Sequence, residues 1–355
     1  MAAQTARVGV IGCGWWSTYT HIPGLRDNPD AELVALADRD PERLATAAEV
    51  YGVHRGYADY QEMLEREALD GVVVAVSHAA HYEVAKAALE RGLHVLLEKP
   101  MVLRAEHGRE LVALAQAKGR ELIVGYPWNY TAIARRAREA VQRGRLGEIQ
   151  LVSSLFASMV IEFYRGNPEA YRPVFNYPVT GPGQVYANPQ ASGGGQGHLQ
   201  VTHAAGLLFF VSGLRARRVS AEMERYDLPV DLVDAISVRF DNGAVGTLAS
   251  TGNIGVGDGG QHELRVYGSQ GYLLLDMIAG TLAIRQHDGT VEQLGPLPED
   301  ERYPRFATAQ NLVDVILGRA DNGSPGEVGL RTVELLDAAY RSAEQQGQPV
   351  QLADS

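Results

Sequence analysis

The sequence predicts a doubly wound α/β domain over residues 1–126, followed by a C-terminal domain over residues 127–355 built on a largely antiparallel open sheet. The first part alternates apolar, Val-rich runs with amphipathic stretches, a pattern typical of parallel βαβ units covered on both faces. The second part contains short runs joined by tight turns, which indicates hairpins. A composition that is 45% hydrophobic is sufficient for a core in each domain.

Within the first domain, buried strands are predicted at 7–12, 32–38, 70–77, 93–99 and 121–126. Amphipathic helices are predicted between them, at 41–51, 59–66, 80–91 and 104–118. A doubly wound sheet of this kind binds ligands in the crevice outside the carboxyl ends of its strands.

The chain then continues through an amphipathic segment at 131–149 into the second domain. Strands are predicted there at 149–159, 218–226, 234–240, 243–251, 262–269, 271–277 and 281–288. Helices are predicted at 305–318 and 327–346. Residues 166–197 are rich in Pro and Gly and lack periodicity, which favours a functional or mobile loop.

The overall charge excludes some functions. A net charge of −11 without a long basic tract argues against a nucleic-acid partner. No apolar run approaches the roughly 20 residues that a membrane-spanning helix needs, so no membrane partner is expected. Cys13 is the single cysteine and the start lacks a signal segment, so a reducing, cytoplasmic location is expected.

A glycine-rich turn follows the first strand, in the stretch GVIGCGWWS. Gly12 and Gly14 match the first two glycines of a dinucleotide-binding turn, whereas Ser17 occupies the third position. Such a turn lets the backbone approach a pyrophosphate at a helix N-terminus, and we assign Trp15 and Trp16 to the same cofactor site. The strand, turn and helix around these glycines argue against a tight turn without a ligand.

Asp38 ends the second predicted strand, where a carboxylate accepts hydrogen bonds from a ribose 2′-OH and repels a 2′-phosphate. NAD is therefore predicted over NADP. Arg39 is also assigned to the cofactor site, and it complicates the choice because an arginine there can accommodate a phosphate.

The fourth predicted strand ends in Glu98, Lys99 and Pro100. At that end of the sheet the Lys99 ammonium points into the crevice beside the cofactor, and Glu98 can orient it or match its charge. A surface ion pair is the simpler alternative for an isolated Glu-Lys pair.

The stretch HYEVAKAALERGLHVLLEKPMV, residues 81–102, resembles the hallmark of the glucose–fructose oxidoreductase, inositol dehydrogenase and rhizopine-catabolism (Gfo/Idh/MocA) family. The glycine turn, GEI at 147–149 and the closing stretch LRTVELLDAAYRSAEQQGQPV at 330–350 support the resemblance. It implies a Rossmann domain, a nicotinamide cofactor, a sugar or cyclitol substrate, and a homodimer or homotetramer formed through the C-terminal sheet. It also implies a catalytic Lys99, and it places Ser77, His78 and His81 near the nicotinamide.

The resemblance extends to SGGGQGHLQVTH, residues 192–203, and assigns His203 as the second catalytic residue. The family usually has an aspartate four residues earlier, but Leu199 stands there, so the acid partner of a standard proton relay is missing. On a regular helix, Gln196, Gln200 and His203 share one face and form a surface for sugar hydroxyls.

The loop at 162–189 supplies further substrate-binding candidates. Arg165 and Arg172 are candidates to clamp an acidic group. Four tyrosines are candidates to replace the missing aspartate: Tyr164, Tyr171, Tyr177 and Tyr186. No metal is predicted, because neither Cys nor an acid completes a ligand set with His78 and His81.

Together these features predict an NAD-dependent oxidoreductase that takes hydride from a ring hydroxyl of a sugar, glycoside or cyclitol. Two alternatives remain open at this point. One is a glycosidase that recycles bound NAD through oxidation, elimination and hydration, with an anionic glycoside among its candidate substrates. The other is an NAD-binding sensor without catalytic activity.

Overall fold

The computed structural model describes residues 5–352, which form two sheets with helices packed on them. The strands of the first sheet are β1 Ala6–Ile11, β2 Ala31–Ala37, β3 Gly56–Tyr57, β4 Gly71–Val74, β5 His94–Leu97 and β6 Leu122–Val124. All pairings are parallel and the spatial order is β3-β2-β1-β4-β5-β6. This is the order of a dinucleotide-binding doubly wound sheet, with its crevice outside the carboxyl ends of β1 and β4.

The helices of this sheet are α1 Ile22–Arg26, α2 Pro41–Tyr51, α3 Tyr60–Arg66, α4 His81–Glu90 and α5 Ala105–Lys118. A widened π-type turn, Ser17–His21, precedes α1. Local sequence explains the ends of α2. The Asp40 side chain accepts hydrogen bonds from the backbone N–H groups of Glu42 and Arg43, and Gly52 ends the helix with φ +69°.

The second sheet has nine strands: β7 Ile149–Ala157, β8 Ala216–Glu224, β9 Val233–Phe240, β10 Val245–Thr251, β11 Gln261–Gly268, β12 Gly271–Asp276, β13 Thr281–Gln286, β14 Val291–Leu294 and β15 Val350–Gln351. Their order is β14-β13-β12-β11-β7-β10-β9-β8-β15. Among the strands of this sheet described within residues 5–352, only β7 and β10 pair in parallel. The predicted fold class, a doubly wound domain followed by a largely antiparallel open sheet, is therefore confirmed.

The remaining helices are α6 Ala132–Gln142, α7 Ile161–Tyr164, α8 Pro189–Ser192, α9 Thr202–Ser212, α10 Glu299–Arg302, α11 Ala307–Ile316 and α12 Gly326–Glu344. Another π-type turn, Gly197–Val201, leads into α9. Helices α6, α9 and α12 pack on one face of the second sheet. The other face carries the exposed apolar residues Leu151 and Val245.

Helix α11 returns to the first sheet, where Leu312 and Val313 join a buried cluster with Val73, Leu96 and Ile123. The C-terminal part of the chain therefore completes the core of the N-terminal sheet. This packing also brings residues 303–306, which lead into α11, to the edge of the crevice. The domain boundary at residues 126 and 127 stays a prediction.

Candidate active site

A cavity of about 1110 Å³ runs from the glycine turn to the start of α9. Residues from both sheets and from the loop at 179–186 line it. Most of the site residues that the sequence predicts lie in its wall: Gly12, Gly14, Trp15, Trp16, Asp38, Arg39, Ser77, His78, His81, Glu98, Lys99, Tyr186, Gln200 and His203.

Glycine is suited to positions 12 and 14 of the turn for two different structural reasons. Gly12 has φ +98°, and a Cβ there would lie 2.3 Å from the carbonyl oxygen of Ala75, so the backbone itself requires glycine. At Gly14 a Cβ would meet no protein atom within 4 Å, although the residue lines the cavity. Glycine at this position leaves open space against the backbone, which fits a pyrophosphate.

The Asp38 carboxylate is fixed at one end of the cavity. It accepts hydrogen bonds from the backbone N–H groups of Cys13, at 2.8 Å, and Asp40, at 2.9 Å. Arg39, the next residue, is exposed, and an Arg43 nitrogen lies 3.9 Å from Oδ2 of Asp38. A fixed carboxylate after the second strand fits the ribose of NAD, so the described residues suit this cofactor at both pyrophosphate and ribose positions.

Glu98 is a buried carboxylate that accepts three hydrogen bonds. The donors are Trp16 Nε1 at 3.1 Å, His21 Nε2 at 2.8 Å and the backbone N–H of Lys99 at 3.1 Å. Burial alone would raise the pKa of the Glu98 carboxyl. The hydrogen bond and charge attraction from His21, together with the charge and backbone N–H of Lys99, outweigh burial, so the pKa is lowered. Gly125 makes room, because a Cβ there would lie 2.6 Å from the carboxylate.

Lys99 follows directly, and its peptide bond to Pro100 is cis. The Lys99 ammonium donates a hydrogen bond to the backbone carbonyl of Leu199 at 3.1 Å, across the cavity. Desolvation lowers the pKa of Lys99 to about 8, and the negative charge of Glu98 opposes a larger drop. The lysine therefore loses its proton at a lower pH than an exposed lysine does.

His203 lies near the start of α9, among aromatic rings. Its ring centre is 5.1 Å from that of Trp128, 6.0 Å from that of Tyr126 and 6.4 Å from that of Phe156. Its Nδ1 is buried without a hydrogen-bond partner. Desolvation, followed by the positive charge of Lys99 and His262, lowers the pKa of His203 well below its usual value. The imidazole is consequently neutral near pH 7 and can accept a proton.

The Gly-rich turn before α9 is held by Asp231. Its carboxylate accepts the backbone N–H groups of Gly195 and Gly197, both at 2.7 Å, and the Tyr340 hydroxyl at 2.9 Å. A Cβ at Gly195 would lie 2.1 Å from the Asp231 carbonyl oxygen, so the turn needs glycine there. Asp231 thus fixes the direction in which the helix bearing His203 begins.

Four further cavity residues have defined hydrogen-bonding roles. The His78 Nδ1–H donates to the Ser192 carbonyl at 2.9 Å, and burial lowers the pKa of His78, so its other ring nitrogen is an acceptor. Trp15 Nε1 donates to the Tyr186 hydroxyl oxygen at 3.3 Å. Burial raises the pKa of Tyr186 to about 12, so its O–H stays protonated and can donate into the cavity. His81 is anchored through Nδ1 to the Pro100 carbonyl at 2.8 Å.

Gln196 is placed differently from the sequence prediction. It is fully buried, where it accepts a hydrogen bond from the Tyr164 hydroxyl at 2.9 Å and donates to Ser250 at 2.7 Å. The physical reason is the wide turn at Gly197–Val201, in which the extra residue per turn breaks the i, i+4 spacing. Only Gln200 and His203 of the predicted trio line the cavity.

The two predicted arginine clamps also lie outside the cavity. Arg165 is exposed and pairs with Glu162 at 2.7 Å, and Arg172 is exposed and pairs with Glu169. In each case the glutamate three residues earlier, on a short helical turn, forms the ion pair with the arginine. We therefore leave Arg165 and Arg172 out of the site.

The predicted tyrosines divide in the same way. Tyr177 is buried and donates to the Pro168 carbonyl at 2.8 Å, and the Tyr171 hydroxyl accepts the Glu162 N–H at 3.0 Å. With Tyr164 bound to Gln196, only Tyr186 reaches the cavity wall. We leave Tyr177 out of the site for this reason.

Sequence reasoning missed several residues of this region. His21 binds Glu98 from the turn that precedes α1, and Trp128, Tyr303 and Arg305 line the cavity. A histidine shortly after a glycine turn is only a weak sequence signal for a site residue. Trp128, Tyr303 and Arg305 lie on connecting segments that carry no recognisable motif.

None of the helices within residues 5–352 combines the length and apolar character that a bilayer crossing requires. Over the same part of the chain, no cluster of three or more His, Cys, Asp or Glu side chains is arranged to hold a metal ion.

The sheet order and the glycine turn are those of a dinucleotide-binding domain, and Lys99 and His203 line the same cavity. Three family models match the chain: an oxidoreductase family with an NAD-binding Rossmann fold at 6–126, a GFO/IDH/MocA C-terminal domain at 134–274, and an oxidoreductase C-terminal alpha/beta domain at 218–352. The chain belongs to the Gfo/Idh/MocA oxidoreductase family, as the sequence resemblance predicts.

Individual relatives agree with this family. The chain is 30% identical over 290 residues to the uncharacterized oxidoreductase YfiI of Bacillus subtilis, covering 76% of this chain and 70% of the relative. It is 27% identical over 319 residues to dTDP-3,4-didehydro-2,6-dideoxy-alpha-D-glucose 3-reductase of Saccharopolyspora spinosa, covering 86% of each. The structure of GenD2 from gentamicin A biosynthesis in complex with NAD superposes with a TM-score of 0.79 at 25% identity, over 100% of this chain and 98% of GenD2.

Proposed function

We propose that the protein is an NAD-dependent oxidoreductase that removes hydride from a ring hydroxyl of a sugar, glycoside or cyclitol. The observation that carries the proposal is that Lys99 and His203 line the same cavity as the glycine turn and Asp38. The names of the Saccharopolyspora reductase and of GenD2, whose structure contains NAD, support a sugar substrate and this cofactor.

Gly14 and Asp38 would hold the pyrophosphate and the adenosine ribose of NAD, and the bound cofactor supplies the hydride acceptor. His203, neutral near pH 7, accepts the proton of the reacting hydroxyl. The Lys99 ammonium donates a hydrogen bond to the same oxygen and stabilises the negative charge that develops there. The Tyr186 hydroxyl and the Gln200 amide orient neighbouring hydroxyls from the cavity wall.

The experiment that tests this proposal supplies NAD with a panel of free sugars, cyclitols and nitrophenyl glycosides, and follows NADH absorbance and nitrophenol together. Stoichiometric NADH formation is expected with at least one substrate, and it should disappear in the Lys99→Met variant. Nitrophenol release over many turnovers with constant NADH would replace the dehydrogenase by the glycosidase alternative. Cofactor binding without either product across the panel would favour the sensor.

We also propose that the outer face of the C-terminal sheet joins two or four copies of the chain. Exposed Leu151 and Val245 are cross-strand neighbours on that face, and Tyr267 stacks on Tyr272 close by, at 5.5 Å between ring centres. Contiguous apolar surface of this kind marks an association site. Light scattering should give a dimer or tetramer, and Leu151→Glu should shift it toward the monomer. A monomeric wild-type protein would contradict the proposal.

A further inference from the structure

Arg305 lies in the cavity wall on the segment that leads into α11. Its guanidinium carbon is 4.6 Å from the ring centre of Tyr19 and 4.6 Å from that of Phe306. No acidic side chain within residues 5–352 forms an ion pair with it. Cation–π contacts stabilise a guanidinium through the ring faces and leave its N–H donors available.

The other two arginines of the cavity wall are in a different situation. Arg43 donates to Asp40 at 2.9 Å, and Arg39 stands beside Asp38. Both therefore belong to the part of the wall where the cofactor ribose is expected, whereas Arg305 packs on Tyr19 without an acidic partner among the described residues.

Ring contacts connect Arg305 with the proposed catalytic residues. The ring centre of Trp128 lies 5.1 Å from that of His203 and 4.8 Å from that of Tyr303. Tyr303 is two residues before Arg305, and its carbonyl accepts the Arg305 backbone N–H at 2.7 Å. Tyr303, Arg305 and His203 thus line one cavity, and Trp128 contacts the rings of both Tyr303 and His203.

We propose that Arg305 binds a carboxylate or phosphate group of the substrate, which makes the preferred substrate an anionic sugar derivative. This inference rests on the proposed function, because it concerns the substrate of the same cavity. A guanidinium fork matches two oxygens of an oxyanion, and the bond is charge-assisted on both sides. Lys99 then remains free to bind the reacting hydroxyl. The distance between the Lys99 ammonium and the Arg305 guanidinium then determines which ring carbon faces the nicotinamide.

The test measures binding, so it does not depend on turnover. Calorimetry on the NADH-loaded protein compares glucose, galactose and mannose with their uronates and their 6-phosphates. At least one anion should bind about tenfold to a hundredfold more tightly than its neutral parent, the range expected for hydrogen bonds to a charged group. The comparison of uronate with phosphate identifies which oxyanion the site takes.

Three variants make the comparison specific. Arg305→Met keeps an apolar stem against Tyr19 and should abolish the preference for the anion while leaving neutral sugars unchanged. Arg305→Lys keeps the charge without the fork and should retain only part of the preference. Arg66→Met removes one charge from an exposed i,i+4 pair with Glu62, neither of which lines the cavity, and should leave the preference intact.

Two results would overturn the inference: every anion binding no better than its neutral parent, or a preference that survives in Arg305→Met. Thermal melting of each variant shows whether the fold is kept, and Arg305→Lys remains informative where Arg305→Met is unstable. Failure of NADH formation with all sugars would contradict the proposed function, and the binding comparison would still decide the role of Arg305.

Discussion

Replacing Glu98 with glutamine removes the buried charge beside Lys99 and keeps the side-chain shape. Glu98 is the group that raises the pKa of Lys99 against desolvation, which lowers it to about 8. With the carboxylate gone, only desolvation remains, so we expect the pKa of Lys99 to fall. Since the ammonium form donates the hydrogen bond to substrate in the proposed mechanism, the rate is present below this pKa and is lost as the pH rises through it.

The size of the effect follows from the contact. A carboxylate adjacent to a cation in a poorly solvated site shifts its pKa by about 1 to 3 units. We therefore expect a pKa between about 5 and 7 for Lys99 in Glu98→Gln. At pH 7.5 the protonated fraction would fall from about three quarters to about one quarter or less. The alkaline limb of kcat/KM should move down by the same number of units.

The composition of the chain makes a direct measurement feasible. The sequence contains three lysines, Lys86, Lys99 and Lys118, so protein made with lysine labelled at Cε by ¹³C gives three resonances to titrate. The Lys99→Arg variant identifies the resonance of Lys99. Lys86 is the internal control, because its hydrogen bonds to Glu110 and Tyr82 raise its pKa independently of Glu98.

Two outcomes would refute this reasoning. A Lys99 resonance that titrates near the unperturbed value of about 10.4 in the wild type would show that the cavity does not desolvate the ammonium. An unchanged or raised pKa in Glu98→Gln would show that the carboxylate does not stabilise it. Melting curves of Glu98→Gln should accompany the titration, because the amide cannot keep all three hydrogen bonds of the carboxylate. If its oxygen accepts from Trp16 and His21, its NH₂ group faces the Lys99 N–H, and this clash lowers the stability of the fold by about 1–3 kcal/mol.

Four further predictions concern the cofactor and the base. Asp38→Ser should reduce the preference for NAD over NADP by at least about tenfold, measured by calorimetry with both cofactors; an unchanged ratio would remove the carboxylate from the discrimination. Gly12→Ala should lower the free energy of unfolding by about 1–3 kcal/mol in denaturant titrations, because φ is positive and Ala75 blocks the Cβ. Gly14→Val should leave the melting temperature of the free protein nearly unchanged but weaken NAD binding about tenfold or more, and normal affinity would contradict the pyrophosphate assignment. His203→Asn should reduce kcat by about a hundredfold or more with NAD affinity retained, and near-normal turnover would exclude the imidazole as the base.

The sequence was sufficient to predict the parallel doubly wound sheet and its crevice, because both depend on repeated, local signals. Long apolar runs alternate with helical periods through residues 7–126, and parallel strands of this kind place Gly14, Asp38 and Lys99 at one edge. Strand β3 was missed because two residues, Gly56 and Tyr57, carry no periodicity at all. Its pairing with β2 depends on tertiary packing alone.

Regular helical periodicity wrongly predicted that Gln196 shares a face with Gln200 and His203, for a reason that the sequence alone does not reveal. The prediction assumed 3.6 residues per turn from Gln196 to His203, whereas the chain widens at Gly197–Val201. Asp231, 34 residues further along, holds that turn through the Gly195 and Gly197 N–H groups. A local pattern cannot report a constraint from so distant a residue, and the same holds for Arg305, which contacts Tyr19 from the far end of the chain.

The substitution of the family aspartate by Leu199 changes what controls the reaction. The Leu199 side chain gives His203 no acid partner, and the Leu199 carbonyl instead accepts the Lys99 ammonium. When His203 takes the hydroxyl proton, two cations stand near each other without a carboxylate to separate them, so Lys99 disfavours the protonated imidazole. Loss of the proton from either group then relieves the repulsion, and the lysine, with a pKa of about 8, is the group whose titration lies in the working range. The alkaline limb of the rate should therefore follow Lys99 rather than His203, and restoring the acid with Leu199→Asp should move that limb to higher pH.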